Sequence, residues 1–208
     1  AQRWPKAMPQ VIACSGWRRD MLWSDTELPW VPTSPSMTSF DSALLYPGIC
    51  GFESTNMSVG RGTPSPFQRV GAPWLEPHLV LEYMAAVSLP GVRLEPDRFT
   101  PTHATFAREE CAGVRIHITD PRSVRPVEVG LLLLAAAAAT HRTRFCWWQY
   151  PTVANPVGEN HFERLLGRAG IREQIDADPR SVTPAVVAEW TRVNGWAARV
   201  ESALQYGS

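Results

Sequence analysis

"GVRIHITDPRSVRPVEVGLLLLAAAAAT", residues 113–140, sets two different periodicities side by side. In its first part Val114, Ile116 and Ile118 alternate with Arg115, His117 and Thr119. That period of two is the signature of a strand with one face buried and one polar. From Pro126 onward the segment is apolar nearly all round, and proline suits the first turn of a helix. A helix without a polar face must be buried. A half-polar strand next to a fully buried helix predicts a small sheet packed with helices, an α+β chain rather than regular β-α alternation.

The flanking segments extend this reading. "VIACSG" (11–16) is a short apolar run closed by glycine and reads as a buried strand. It has no sheet of its own nearby, so residues 1–16 are expected to continue a domain upstream, with 17–208 forming the second domain. Residues 17–39 are loop-like. Ser39 is placed to cap a short helix in "SFDSALLY" that ends near Pro47-Gly48. "EPHLVLEYMAAVSL" reads as a helix with Val80, Tyr83, Met84 and Val87 on one face. "GVRLEPDRFTPTHATF" reads as an extended segment broken by prolines, and "TRFCWWQY" as a further strand. The last quarter is helical. "HFERLLGRAG" is expected to stop at Gly170, and "IREQIDAD" follows as a short helix. A final helix opens at Thr183-Pro184, with Val186, Trp190, Val193, Ala197, Val200 and Leu204 as one packed stripe.

Composition excludes several classes. The chain has 208 residues and a formal net charge of zero, so it offers no net field to draw in nucleic acid or an anionic membrane. The apolar run Val129–Ala139 is too short and too alanine-rich to span a bilayer. The opening "AQRWPKAMPQ" shows no signal-peptide pattern. Four cysteines occur without a C-x-x-C pair or zinc-finger histidine spacing, so they are expected as buried thiols, and no metal or cofactor is expected. "CSGW" is not the G-x-S-x-G elbow of a serine hydrolase. Among nine tryptophans, Trp17, Trp30 and Trp74 fall in loops and are the better candidates for a ligand cleft. Trp190 and Trp196 fall on a helix.

The polar chemistry concentrates in "FESTNMSVGRGTPSPFQRVGAPW", residues 52–74. Its glycines invite a phosphate-loop reading, but the G-x-x-x-x-G-K-[ST] pattern is absent. Turns needing positive φ at Gly60 and Gly62 explain them better. Glu53 sits among hydroxyl and amide residues that can orient a carboxylate, and glycosidases need carboxylates in pairs. The polar face of 113–120 brings Arg115, His117 and Thr119 together with Asp120 at its end, a set able to bind sugar or carboxylate oxygens.

Several segments in order resemble the NamZ-like exo-β-N-acetylmuramidase family. They are "GWRRDMLW…LPWVPTSPSM", "ALLYPGICGFESTNMSVGRGTPSPFQRVGAPW", "FTPTHATFAREECAGVRIHITD" with "RPVEVGLLLL", and "HFERLLGRAGIREQID". The resemblance implies a glycoside hydrolase that removes N-acetylmuramic acid from non-reducing ends of peptidoglycan fragments, with a periplasmic or secreted setting favoured. It covers the family's C-terminal part, with the last strand or so of what precedes it. The family's N-terminal Rossmann-like half, with its "PEHG"-type glutamate motif, has no counterpart here and is an implied partner. Glu53, Thr55, Asn56, Ser58, Arg61, Gly62 and Thr63 match the family pattern. Within the cleft of such an enzyme Glu53 is expected to contribute the catalytic carboxylate, as acid/base partner or as an orienting group, with Thr55, Asn56, Ser58, Arg61 and Thr63 binding muramic acid saccharides and Arg115 and His117 extending the same surface. The chain departs from the pattern at Ser36, Ser54 and His103, where Asn, Gly and Phe are common. A non-catalytic module that binds peptidoglycan fragments, or a structural domain, is the alternative.

Overall fold

The computed structural model describes residues 10–207. The chain divides into two compact units, Trp30–Arg192 and a smaller one built from residues 1–29 with 193–208.

The larger unit carries the sheet. β1 (Arg69–Ala72), β2 (Val92–Phe99) and β3 (Cys111–Ile118) form a three-stranded antiparallel sheet in the order β1-β3-β2. The strand read from alternation is therefore the central one. Val114 and Ile116 are buried, and Arg115 and His117 take the half-exposed side. β2 tolerates Pro96 because it lies at an edge, where a missing N–H breaks no inner ladder.

α1 (Phe40–Ile49) starts as read, with the Ser39 side chain accepting from the Ser42 N–H. It runs past Pro47, whose ring sits inside the last turn. α2 is Pro77–Met84 and buries Val80 and Met84. α3 (Pro126–Thr140) is buried continuously from Val129 to Ala138 and forms the centre of the core. Each of its buried leucines contributes about 1.5–3 kcal/mol by leaving water. α1 crosses α3 with backbones in contact. A Cβ on Gly48 would lie 1.7 Å from the Pro126 carbonyl oxygen, and one on Gly130 would lie 2.2 Å from the Gly48 oxygen. Only glycine fits at either position. That close crossing fixes the end of α1, and the residues that follow it build the site.

Among the described residues no helix is long and apolar enough to cross a membrane. α4 (His161–Leu166) ends at Gly167, in the left-handed region at φ 68°, not at Gly170. Gly170, at φ 84°, opens α5 (Ile171–Ala177) instead. Two glycines three residues apart both resemble C-caps in sequence, and the helix takes the first.

Three expectations fail. Residues 11–16 form no strand, and Val11 and Ile12 are 55% and 86% exposed, with no neighbouring strand among the described residues. "TRFCWWQY" gives only an isolated bridge between Thr55 and Trp147. The final helix is interrupted. α6 (Pro184–Thr191) starts as read, capped by Thr183, but the chain turns extended at Arg192, Gly195 turns left-handed at φ 67°, and α7 (Trp196–Val200) follows. Trp190 is buried, but Val193, Trp196 and Leu204 are exposed, so the stripe is not continuous. In the smaller unit the Tyr206 hydroxyl accepts from the Cys14 N–H at 2.8 Å, and its ring meets Trp17 edge-on.

Candidate functional site

The last turn of α1 passes into a 3-10 turn, Cys50–Ser54, which carries Glu53 inward. The side chain of Glu53 is only 7% exposed. A buried carboxylate needs partners, and two converge on Oε1. Arg61 Nε donates at 2.7 Å and the Tyr150 hydroxyl at 3.2 Å. Among the described residues Oε2 receives no hydrogen bond. Arg61 Nη1 donates to Ser36 Oγ at 2.8 Å, and the guanidinium lies over the Phe67 ring, 4.9 Å from its centroid. The guanidinium is thus gripped on one side by carboxylate, hydroxyl and ring. Its side chain is 30% exposed, and its remaining N–H groups are available to an incoming anion.

The surroundings keep competing groups neutral. Burial, then the Glu53 charge, raises the Tyr150 phenol above its ordinary range. Burial, with Cys50 and Glu53, does the same to Tyr46. Burial pushes the Cys50 thiol up to about 12, which makes it inert. His161, tilted against Tyr150 at 4.8 Å between ring centres, is lowered by burial against the opposing pull of Glu53. A cavity of about 50 Å³ opens between Glu53, Met57, Ser58, Arg61, Thr105 and Tyr150. That is room for a water or two, not for a sugar ring. One wall of this cavity is the segment that holds Ala104 at φ 69° and Phe106 at φ 60°, both in the left-handed region.

Both predicted glycine turns are present, Gly60 at φ 74° and Gly62 at φ 82°. Gly62 is also pressed against the 102–103 backbone, where a Cβ would lie 2.7 Å from the His103 nitrogen. The remaining candidates from this loop hold its shape. Thr55 Oγ1 donates to the Phe52 carbonyl, and Thr63 Oγ1 to the Gly60 carbonyl. Ser58 Oγ accepts from the Gly60 N–H and lines the cavity. Asn56 ties together two segments far apart in sequence. Its Nδ2 donates to the Arg144 carbonyl at 2.8 Å, and its Oδ1 accepts from the Cys146 N–H at 2.9 Å.

Arg115 and His117 stand apart from this cluster, on the polar face of the sheet. Arg115 faces Arg69 across β1 and Glu95 across β2, and His117 faces Arg93. Arg115 Nη2 donates to Gln68 Oε1 at 3.0 Å. Arg69 Nε lies 3.4 Å from Asp97, and Glu95 pairs with both Arg93 and His117. His117 is lowered by burial first and then by the Arg93 and Arg115 charges, against the raising pull of Asp97. Among the described residues no group of His, Cys, Asp and Glu is arranged to hold a metal.

Sequence reasoning missed Tyr150, which lies 97 residues from Glu53, and the role of Ser36 as an acceptor for Arg61. Ser36 carried a signal as a departure from the family pattern. Tyr150 carried none, because nothing local relates it to the loop.

The family model described as "Exo-beta-N-acetylmuramidase NamZ, C-terminal" matches residues 44–206. The chain belongs to the NamZ family. The model for the NamZ N-terminal region matches residues 1–41. A "Peptidoglycan beta-N-acetylmuramidase NamZ" of Bacillus subtilis (strain 168) is 32% identical over 166 residues, which is 80% of this chain and 38% of that protein. This chain therefore spans well under half the length of that NamZ relative. A DUF1343 family protein from Bacteroides fragilis NCTC 9343 superposes with a TM-score of 0.69 at 25% identity, covering 90% of this chain and 46% of its own. A second protein from the same strain, at 23% identity and a TM-score of 0.56, shares the fold over 85% of this chain and 44% of its own.

Proposed function

We propose that this chain is the C-terminal, substrate-cleft portion of a glycosidase that releases N-acetylmuramic acid from non-reducing ends of peptidoglycan fragments. Family membership and the Bacillus relative's printed activity support the reading. The observation that carries it is Arg61, held by a buried carboxylate and left with open N–H groups. A guanidinium fixed in this way suits a sugar carboxylate, which it can grip with two oxygens at once.

In this reading Arg61 clamps the lactyl carboxylate. Glu53 orients Arg61 through Oε1 and turns Oε2 toward the cavity, as acid/base partner or as an orienting group. Thr55, Asn56 and Thr63 serve substrate through the shape of the loop, and Ser58 shares the cavity wall. Arg115 and His117 extend the binding surface across the sheet. The cavity needs the wall at 104–105 to shift before a ring can reach Glu53. Residues 1–16 belong with an upstream half that supplies the rest of the cleft; the N-terminal family model reaches further along the chain, to residue 41.

The test joins this chain to a NamZ-family N-terminal half and follows muramic acid release from a muramic-acid-terminated disaccharide. Arg61→Lys keeps the charge and loses the fork, so its Michaelis constant is expected to rise about tenfold or more. An unchanged value removes the clamp. Full turnover in Glu53→Gln removes any acid/base role for that residue. Saccharide binding without turnover in the joined protein points instead to a non-catalytic module.

A further inference from the structure

A second pocket, of about 410 Å³, opens elsewhere in the larger unit. Trp74, Glu76, Thr140, His141, Arg142 and Arg144 line it. Its volume is in the range of small-ligand sites, unlike the cavity at Glu53. We propose that this pocket binds a saccharide ring bearing an acidic substituent, with Trp74 against the ring, Arg144 on the acid group and Glu76 accepting from hydroxyls.

Three observations support this. The wall is rigid. His141 is buried, and its Nε2 accepts from the Glu76 N–H at 3.0 Å. That leaves Nδ1 carrying the proton toward Thr140 Oγ1, 2.8 Å away, while Thr140 itself donates to the Ala136 carbonyl. The Arg144 backbone is clamped as well, by the Asn56 side chain on its carbonyl and on the nearby Cys146 N–H. Against this fixed frame the Arg144 guanidinium is exposed. Among the described residues it makes no hydrogen bond or ion pair. Arg142 is partly engaged with the Asp176 carbonyl, so Arg144 is the cation left for an anion.

The chemistry of the lining narrows the ligand. The half-buried indole of Trp74 is set at a tilt against His141, 5.5 Å between ring centres, and on the pocket wall its apolar surface suits the C–H side of a sugar ring. An exposed carboxylate on Glu76, 60% accessible, accepts from hydroxyls. A free guanidinium favours an acidic ring over a neutral one. The Arg144 N–H also donates to the His141 carbonyl at 2.9 Å, so the backbone is held on both sides of Arg144, which lowers the ordering cost on binding.

Amide NMR of the chain, titrated separately with N-acetylmuramic acid, N-acetylglucosamine and inorganic phosphate, tests the proposal. N-acetylmuramic acid is expected to shift the amides of Glu76 and of residues 140–144, and N-acetylglucosamine to bind there about tenfold more weakly. Arg144→Ala, an exposed change, should weaken the acidic sugar about tenfold and leave the neutral sugar unaffected. Arg61→Lys should leave these shifts in place, which separates this pocket from the Arg61 site. Trp74→Phe keeps the packing and should weaken both sugars. The inference fails if the acidic sugar moves no amide in 140–144, if its shifts there survive unchanged in Arg144→Ala, or if phosphate binds as tightly as the sugar.

Discussion

Two cavities of the larger unit, at Glu53 and at Trp74, solve opposite problems. At Glu53 the cavity is about 50 Å³ and its charged groups are paired with one another. At Trp74 it is about 410 Å³, and a guanidinium on its rim has no partner among the described residues. Asn56 belongs to both, because it leaves the Glu53 loop and fastens the Arg144–Cys146 backbone. The difference teaches that a family's polar loop is first a piece of architecture. Its threonines and asparagine satisfy backbone groups, and only Arg61 and one oxygen of Glu53 remain for a ligand.

The contrast is broken most severely by Arg61→Ala. It leaves the Glu53 carboxylate buried beside one phenol, so a loss of about 3 kcal/mol is expected, less than for a fully buried pair because Arg61 is partly exposed. Urea unfolding measures it, and Glu53→Gln combined with Arg61→Ala should recover part of the loss. A double variant no more stable than the single one would show that the pair is not the source.

Asn56→Ala tests the link between the cavities. It strips one donor from the Arg144 carbonyl and one acceptor from the Cys146 N–H, for about 2 kcal/mol. Hydrogen exchange at the Cys146 amide should rise along with it. Protection unchanged at that amide would mean that the two regions are independent.

The smallest effect is a pH dependence at the Trp74 pocket. Burial lowers the His141 pKa, against the raising influence of Glu76 and with a lowering one from His78. The fold therefore favours the neutral ring, which accepts from the Glu76 N–H. Its contribution is complete above the ordinary histidine value of about 6.5 and is lost as pH falls through the lowered folded value. Stability at pH 5 should be lower than at pH 7, and His141→Gln should flatten that drop. An equal drop in the variant would assign it to other groups.

Alternation and apolarity made β3 and α3 legible, because both patterns are read over neighbouring residues. The Ser39 cap and the turns at Gly60 and Gly62 were legible for the same reason. β1 was not, since "RVGA" is four residues inside a glycine- and proline-rich stretch and pairs only because β3 lies beside it. "VIACSG" differs in the opposite sense. Its apolar run names a strand, but a strand also needs an edge to pair with, and the described residues provide none there. The final helix breaks at Arg192, which turns extended, and restarts after Gly195, although the apolar pattern runs on through both.

The site divides along the same line. Glu53 and Arg61 are eight residues apart, and the loop's own composition drew attention to both. By itself the sequence determined the residue types, the turns and the buried helix, since these depend on local periodicity and backbone freedom. Only the tertiary structure decided that Tyr150 and Ser36 join Glu53 and Arg61, that Arg115 and His117 lie apart, and that Arg144 is left without a partner. Those outcomes depend on which distant segments pack together, and the crossing of α1 and α3 at Gly48 and Gly130 sets that packing.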